Sequence, residues 1–139
     1  MMWIVGNIRW IMIVAGVLTS TMLYAVVAPE AALRSTFGET LTGPLAGVVV
    51  RNWGALVGLV GLMLIYGAFN PSVRALSLIV AGASKVVFVT LILSHGARYL
   101  SSQAGVAIVI DVAMIALFAW YLIAARLVSP SATSAPVAV

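Results

Sequence analysis

Long apolar stretches, separated by short polar connections, dominate the pattern of this chain. A membrane-spanning helix needs about 20 mostly apolar residues. Four stretches reach that length, at about residues 8–27, 44–69, 73–94 and 104–127. Because successive spans cross a bilayer in alternating directions, the pattern predicts an all-α fold, an integral membrane antiparallel four-helix bundle.

The connections between these stretches are rich in residues that end helices. An Asn-Pro-Ser turn at residues 70–72 separates the second and third spans, and residues 95–103 separate the third and fourth. The first connection, residues 29–42, is the longest. Within it, residues 30–34 are compatible with a short interfacial helix or with an ordered loop.

The chain divides into one transmembrane domain, residues 1–128, and a tail, residues 129–139, that is rich in Ser, Ala and Pro and is predicted to be disordered. The first span also has features of a signal peptide, since Arg9 precedes an apolar stretch and Val26-Val27-Ala28 resembles a cleavage site. Pro29 would impede cleavage at that position, and we therefore expect the first span to be retained.

Composition supports the membrane interpretation and excludes several kinds of site. Hydrophobic residues make up 64% of the chain and charged residues 7%, with a mean hydropathy of +1.23, whereas soluble domains carry roughly 25% charged residues. There is no cysteine and a single histidine, so thiolate and multi-histidine metal sites are excluded and neither a metal nor a cofactor is expected.

The net charge of +4 is spread along the chain, without a block of Lys and Arg. This predicts membrane lipids as partners and no nucleic acid. If the N-terminus is cytoplasmic, Arg9, Arg74 and Arg126 lie on the inner side and Arg34 and Arg98 on the outer side. Three basic residues against two favour a cytoplasmic N-terminus and C-terminus.

Three ionisable residues, Arg51, Lys85 and Asp111, fall deep inside predicted spans, well away from the span ends. Their distances in sequence from the nearest span ends place all three roughly 10–14 Å below the outer boundary. Charges at that depth usually face the bundle interior and pair with one another. The sequence therefore predicts a ligand-binding or ion-pair cluster of Arg51, Asn52, Lys85 and Asp111, with possible lining by Trp53, Ser84 and His95.

Three arrangements of this cluster are consistent with the sequence. Asp111 can pair with Arg51 while Lys85 extends toward the outer interface, or Lys85 can be neutral. Alternatively, the surplus positive charge binds an anionic substrate, a lipid headgroup or another polar ligand.

Glycines follow one face of the second span. Their positions step by three or four residues together with Arg51, and the packing set is Gly47, Gly54, Gly58 and Gly61. Small residues on one face allow another helix backbone to approach closely. The pattern predicts a helix-packing face that includes Arg51, and a similar strip of small residues makes the third span a plausible neighbour.

The glycine-rich stretch at residues 51–64, continuing to Arg74-Ala75, resembles the second-helix region of the DoxX-like family of small four-helix bacterial membrane proteins. The resemblance covers 25 residues at motif level and implies a location in the bacterial inner membrane. Family members often carry an acidic residue where Asn52 and Trp53 stand here. Any role of that acid therefore cannot be transferred.

Three functions are compatible with these features. The favoured one is binding or transport of a small anionic or amphipathic ligand at the charged cluster. Because four helices leave little room for a pathway, it would require a homo-oligomer or a larger membrane complex. The second is a non-catalytic accessory subunit or scaffold, and the third is a lipid- or quinone-linked enzyme that uses Asp111 as acid or base.

Overall fold

The computed structural model describes residues 2–128, with side chains for residues 6–127. That part of the chain is helical and contains no strand. Its elements are α1 (Met2–Ser20), a 3₁₀ turn (Thr21–Leu23), α2 (Tyr24–Val27), α3 (Pro29–Phe37), α4 (Pro44–Phe69), α5 (Pro71–Ser94) and α6 (Gln103–Val128).

Four helical segments are long and apolar enough to cross a membrane: Gly6–Val27, Pro44–Phe69, Pro71–Ser94 and Gln103–Leu127. The first consists of most of α1, the 3₁₀ turn and α2. These segments confirm the predicted four-helix membrane bundle, and α4 has the predicted bounds. The predicted disordered tail, residues 129–139, lies outside the described residues.

The four spans form a ring in which α1 packs on α4, α4 on α5, α5 on α6 and α6 on α1. Two contacts mark the two ends of the bundle. The Arg9 guanidinium lies 4.5 Å from the ring centre of Phe69, which joins the start of α1 to the end of α4. At the opposite end, Arg98 forms an ion pair with Glu39. Successive spans are therefore antiparallel.

The first connection contains the interfacial helix α3, so the helical alternative for this segment is the one observed. Pro29 occupies its first turn, where a missing N–H group costs nothing, and Glu30 lies near the positive end of the helix dipole. The helix ends at Gly38, which has a φ of 75°, a conformation that glycine adopts without strain. Contacts with α2, α4 and α6 hold α3 against the bundle.

We call the end of the bundle that carries α3 and residues 95–102 the α3 face. Between this face and the opposite end, most of the core is apolar, and its largest fully buried side chains include Phe118, Met12, Leu64 and Leu78. The outward surfaces of the spans are apolar as well; for example, Val109 is 71% exposed. A bilayer would cover these surfaces with acyl chains.

The glycine face of α4 packs on the first span. A Cβ atom added at Gly61 would lie 2.7 Å from the Gly16 carbonyl oxygen, and one at Gly54 would lie 2.8 Å from that of Met22. The two backbones therefore touch directly along this seam. Gly58 is also buried there.

Gly47 departs from the predicted packing face, because a Cβ atom added there would meet nothing within 4 Å. The third span is a neighbour of α4, as expected, but it meets a different part of that helix. Its contact includes Gly67, where an added Cβ atom would lie 2.6 Å from the Ser77 hydroxyl oxygen.

Candidate functional site

The centre of the candidate site is an ion pair between two neighbouring spans. The Lys85 ammonium on α5 lies 2.5 Å from a carboxylate oxygen of Asp111 on α6. The two side chains are 9% and 14% exposed, so protein covers most of the surface of both charges. Charged groups this deep in a spanning bundle are costly unless they are paired.

A third helix completes the surroundings of Lys85. The Lys85 ammonium also donates a hydrogen bond of 3.3 Å to the hydroxyl of Thr19 on α1. Thr19 is buried and lies eight residues before the end of the first span at Val27, which corresponds to a depth of roughly 12 Å. One cation thus joins α1, α5 and α6.

The first span changes its geometry directly after this contact. The α-helix gives way to a 3₁₀ turn at Thr21–Leu23, and such a change inside a span often marks a functional position. The neighbouring Ser20 hydroxyl is buried and has no hydrogen-bond partner among the described residues. It faces α4, where a Cβ atom at Gly61 would lie 2.4 Å from it.

Arg51 does not join this ion pair. Its guanidinium donates a hydrogen bond to the backbone carbonyl of Val26 at the end of α2. That carbonyl would normally accept from Glu30 in a continuing helix, but the chain breaks at Ala28, which has φ −125° and ψ 68°. Arg51 therefore caps the first span. Of the two partners that the sequence left open for Asp111, Arg51 and Lys85, the structure has Lys85.

Arg74 performs the same task at the opposite end of the bundle. Its guanidinium donates to the carbonyl oxygens of Gly67 at 3.3 Å and Ala68 at 3.1 Å. Pro71 has no N–H group with which to bond the Gly67 carbonyl in the usual i to i+4 pattern. Two arginines thus satisfy carbonyl groups that helix breaks leave free.

The remaining predicted site residues are dispersed. Trp53 packs on Phe37 of α3 with ring centres 5.8 Å apart, and Asn52 is exposed. His95 is exposed and its Nδ1 atom lies 2.8 Å from the Leu91 carbonyl oxygen, one turn back on its own helix. Ser84 adjoins Lys85 in sequence and is half-buried.

Sequence reasoning missed Thr19 and Ser20 as members of this layer. The signal was present, because Thr19-Ser20-Thr21 is a run of hydroxyl residues inside a span. Depth along the first span places Thr19 in the layer of Lys85 and Asp111. The prediction omitted Thr19 because the first span carries no ionisable residue at that depth.

The site as built contains one buried cation, one carboxylate and one hydroxyl group, that of Thr19. Within the described residues there is no cluster of three or more His, Asp or Glu side chains that could hold a metal ion. The carboxylate neutralises the cation, so the net positive charge expected for the cluster is not concentrated at Lys85.

Comparisons with known proteins add no family to these observations: no family model, curated protein or solved structure matches the chain.

Proposed function

We propose that this protein binds a small anionic or amphipathic ligand inside the membrane, with the Lys85 ammonium as the group that holds the ligand's charge. The observation that carries the proposal is the convergence of α1, α5 and α6 on this one buried cation. The 3₁₀ turn directly after Thr19 supports it, because such a change inside a helix often marks a functional hinge.

The chemistry of the pair suggests how a ligand would be held. An unpaired buried cation is unfavourable by several kcal/mol. An anionic group from the bilayer that takes the place of the Asp111 carboxylate would keep Lys85 paired, and a larger assembly would turn such binding into transport.

The location proposed for this activity is the bacterial inner membrane, with both termini cytoplasmic. The excess of basic residues at the end that carries Arg9, Arg74 and Arg126 supports this orientation. The resemblance to the DoxX-like family supports the location and remains a prediction.

Native mass spectrometry of protein extracted gently from its own membrane tests the proposal. We expect a reproducible anionic or amphipathic adduct on the wild-type protein and its loss in Lys85→Met. Arg51→Gln is the matched control, because it removes a cation that caps α2 rather than one that holds the ligand. Equal adducts on wild type and Lys85→Met would contradict the proposal.

A non-catalytic accessory subunit is the second candidate. It is supported by the use of Arg51 and Arg74 as helix caps, since these cations stabilise the fold and leave less charge for a ligand. Recovery of the chain in a stoichiometric complex with other proteins, without an adduct that depends on Lys85, would favour this function.

A further inference from the structure

A second polar region lies at the α3 face, away from Lys85. A cavity of about 750 Å³ opens there between α3 and the start of α6. Its lining includes two arginines, Arg34 and Arg98, and one carboxylate, Glu39. Two cations and one carboxylate leave the lining with a single positive charge.

The two arginines are not equivalent. Arg98 lies 2.7 Å from Glu39, and hydrogen bonding to that carboxylate raises the pKa of Arg98. Arg34 is exposed and has no carboxylate partner among the described residues. Its guanidinium is therefore free to bind an anion from outside the protein.

The polar groups beside these arginines also suit an anion. Ser101 and Gln103 line the cavity, and Gln103 is the first residue of α6, a helix of 26 residues. The first N–H groups of a helix have no partner within the helix and carry partial positive charge. They add to the field of Arg34 and Arg98 at the same opening.

The position of the cavity indicates a lipid rather than a dissolved ion. It lies at the ends of two membrane spans, which is the level of lipid headgroups. Val106, on its lining, is 63% exposed, and Val109, one turn deeper on α6, is 71% exposed. An acyl chain can follow this apolar surface from the cavity into the bilayer.

We propose that this cavity binds the phosphodiester headgroup of an anionic membrane lipid, with Arg34 as its principal contact. A phosphodiester carries one negative charge, which matches the single positive charge of the lining. The guanidinium can donate two parallel hydrogen bonds to the phosphate oxygens, and the acyl chains lie along α6. This site does not involve Lys85 and is independent of the proposed ligand exchange there.

Titration of the full chain in detergent micelles with short-chain phosphatidylglycerol, and separately with phosphatidylcholine, tests this site. We expect preferential binding of phosphatidylglycerol and a loss of affinity of about tenfold in Arg34→Gln, as for one charged hydrogen-bond donor. Arg126→Gln is the matched control, because it removes the same charge at the other end of α6 and should leave the affinity unchanged.

A variant that should bind the lipid more tightly distinguishes a specific loss of affinity from general damage to the protein. Glu39→Gln removes the competing carboxylate and releases Arg98, so it should bind phosphatidylglycerol more tightly than wild type. Equal affinities of Arg34→Gln and Arg126→Gln would overturn the proposal, as would equal binding of phosphatidylcholine. Binding of glycerol phosphate at the same concentrations as phosphatidylglycerol would make this a site for a soluble phosphate ester and overturn the assignment to a lipid.

Discussion

The pairs Lys85–Asp111 and Arg98–Glu39 have similar separations, 2.5 and 2.7 Å between nitrogen and oxygen, but different surroundings. The first pair is 9% and 14% exposed, and the second is 64% and 49% exposed. Water and salt screen the exposed pair, which limits its contribution to stability. The buried pair has no such screening, so each partner depends on the other.

The surroundings of an ion pair, rather than its separation, therefore determine what the loss of one partner costs. At the α3 face, either partner can leave without a large cost, and a freed Arg98 would add to the proposed headgroup site. In the bundle interior, removal of one partner leaves an uncompensated charge. Under the proposed function, a replacement anion would therefore be favoured most strongly at Lys85.

The largest effect is expected from Lys85→Met, which leaves the Asp111 carboxylate buried without a cation. We expect a loss of about 3–5 kcal/mol in the free energy of unfolding, as for other broken buried pairs. Chemical unfolding in detergent micelles measures it. The double variant Lys85→Met with Asp111→Leu removes both charges and should recover most of the loss. A Lys85→Met variant as stable as wild type would show that the buried pair depends no more on both charges than the exposed pair does.

The glycine seam, where the backbones of α4 and the first span touch, provides a similar contrast between buried and open positions for uncharged residues. Gly61→Ala would place a Cβ atom 2.5 Å from the Ser20 nitrogen and 2.7 Å from the Gly16 oxygen, and we expect a cost of about 1–3 kcal/mol from overpacking. Gly47→Ala is the matched control, since it meets no atom within 4 Å and should not destabilise. Equal unfolding free energies for the two variants would contradict the seam.

A smaller effect is expected where an arginine caps a helix. Arg74→Gln removes the donors to the carbonyl oxygens of Gly67 and Ala68 and should cost about 1–2 kcal/mol. Amide hydrogen exchange should quicken in the last turn of α4 and stay unchanged in the middle of α6. Exchange rates equal to those of wild type in both regions would show that these hydrogen bonds do not stabilise the end of α4.

The smallest effect is expected at the exposed pair. Glu39→Gln should leave the unfolding transition unchanged, and raising the salt concentration should change it equally in variant and wild type. Because the carboxylate raises the pKa of Arg98, any stabilisation of the fold by this ion pair is fully present below the ordinary arginine pKa. It is lost only in strongly alkaline solution, where Arg98 loses its proton. Destabilisation by this variant near neutral pH would remove the contrast with Lys85–Asp111.

The sequence predicted the spans well because bilayer thickness dictates their length. The bounds of α4 follow from Pro44, which begins the helix, and from Asn70-Pro71, which ends it. Depth along each span also brought Lys85 and Asp111 to one layer, and the structure joins them.

The partner of Arg51 could not be predicted in the same way. Its acceptor is a backbone carbonyl at Val26 that is free only because the chain breaks at Ala28. The periodic glycines indicate which side of α4 faces a neighbour, but they do not identify that neighbour or where it ends. Gly47 follows the same spacing as the packed glycines, but no helix lies opposite it, and a Cβ atom there would meet nothing within 4 Å.

The most direct test of the proposed ligand exchange at Lys85 is the amount of anionic ligand that copurifies with Asp111→Asn, measured by native mass spectrometry on folded protein separated by gel filtration. Asparagine removes the negative charge and leaves Lys85 without its internal anion. We expect more bound ligand per protein than in wild type. Equal or lower occupancy would contradict it and make Lys85–Asp111 a purely structural pair.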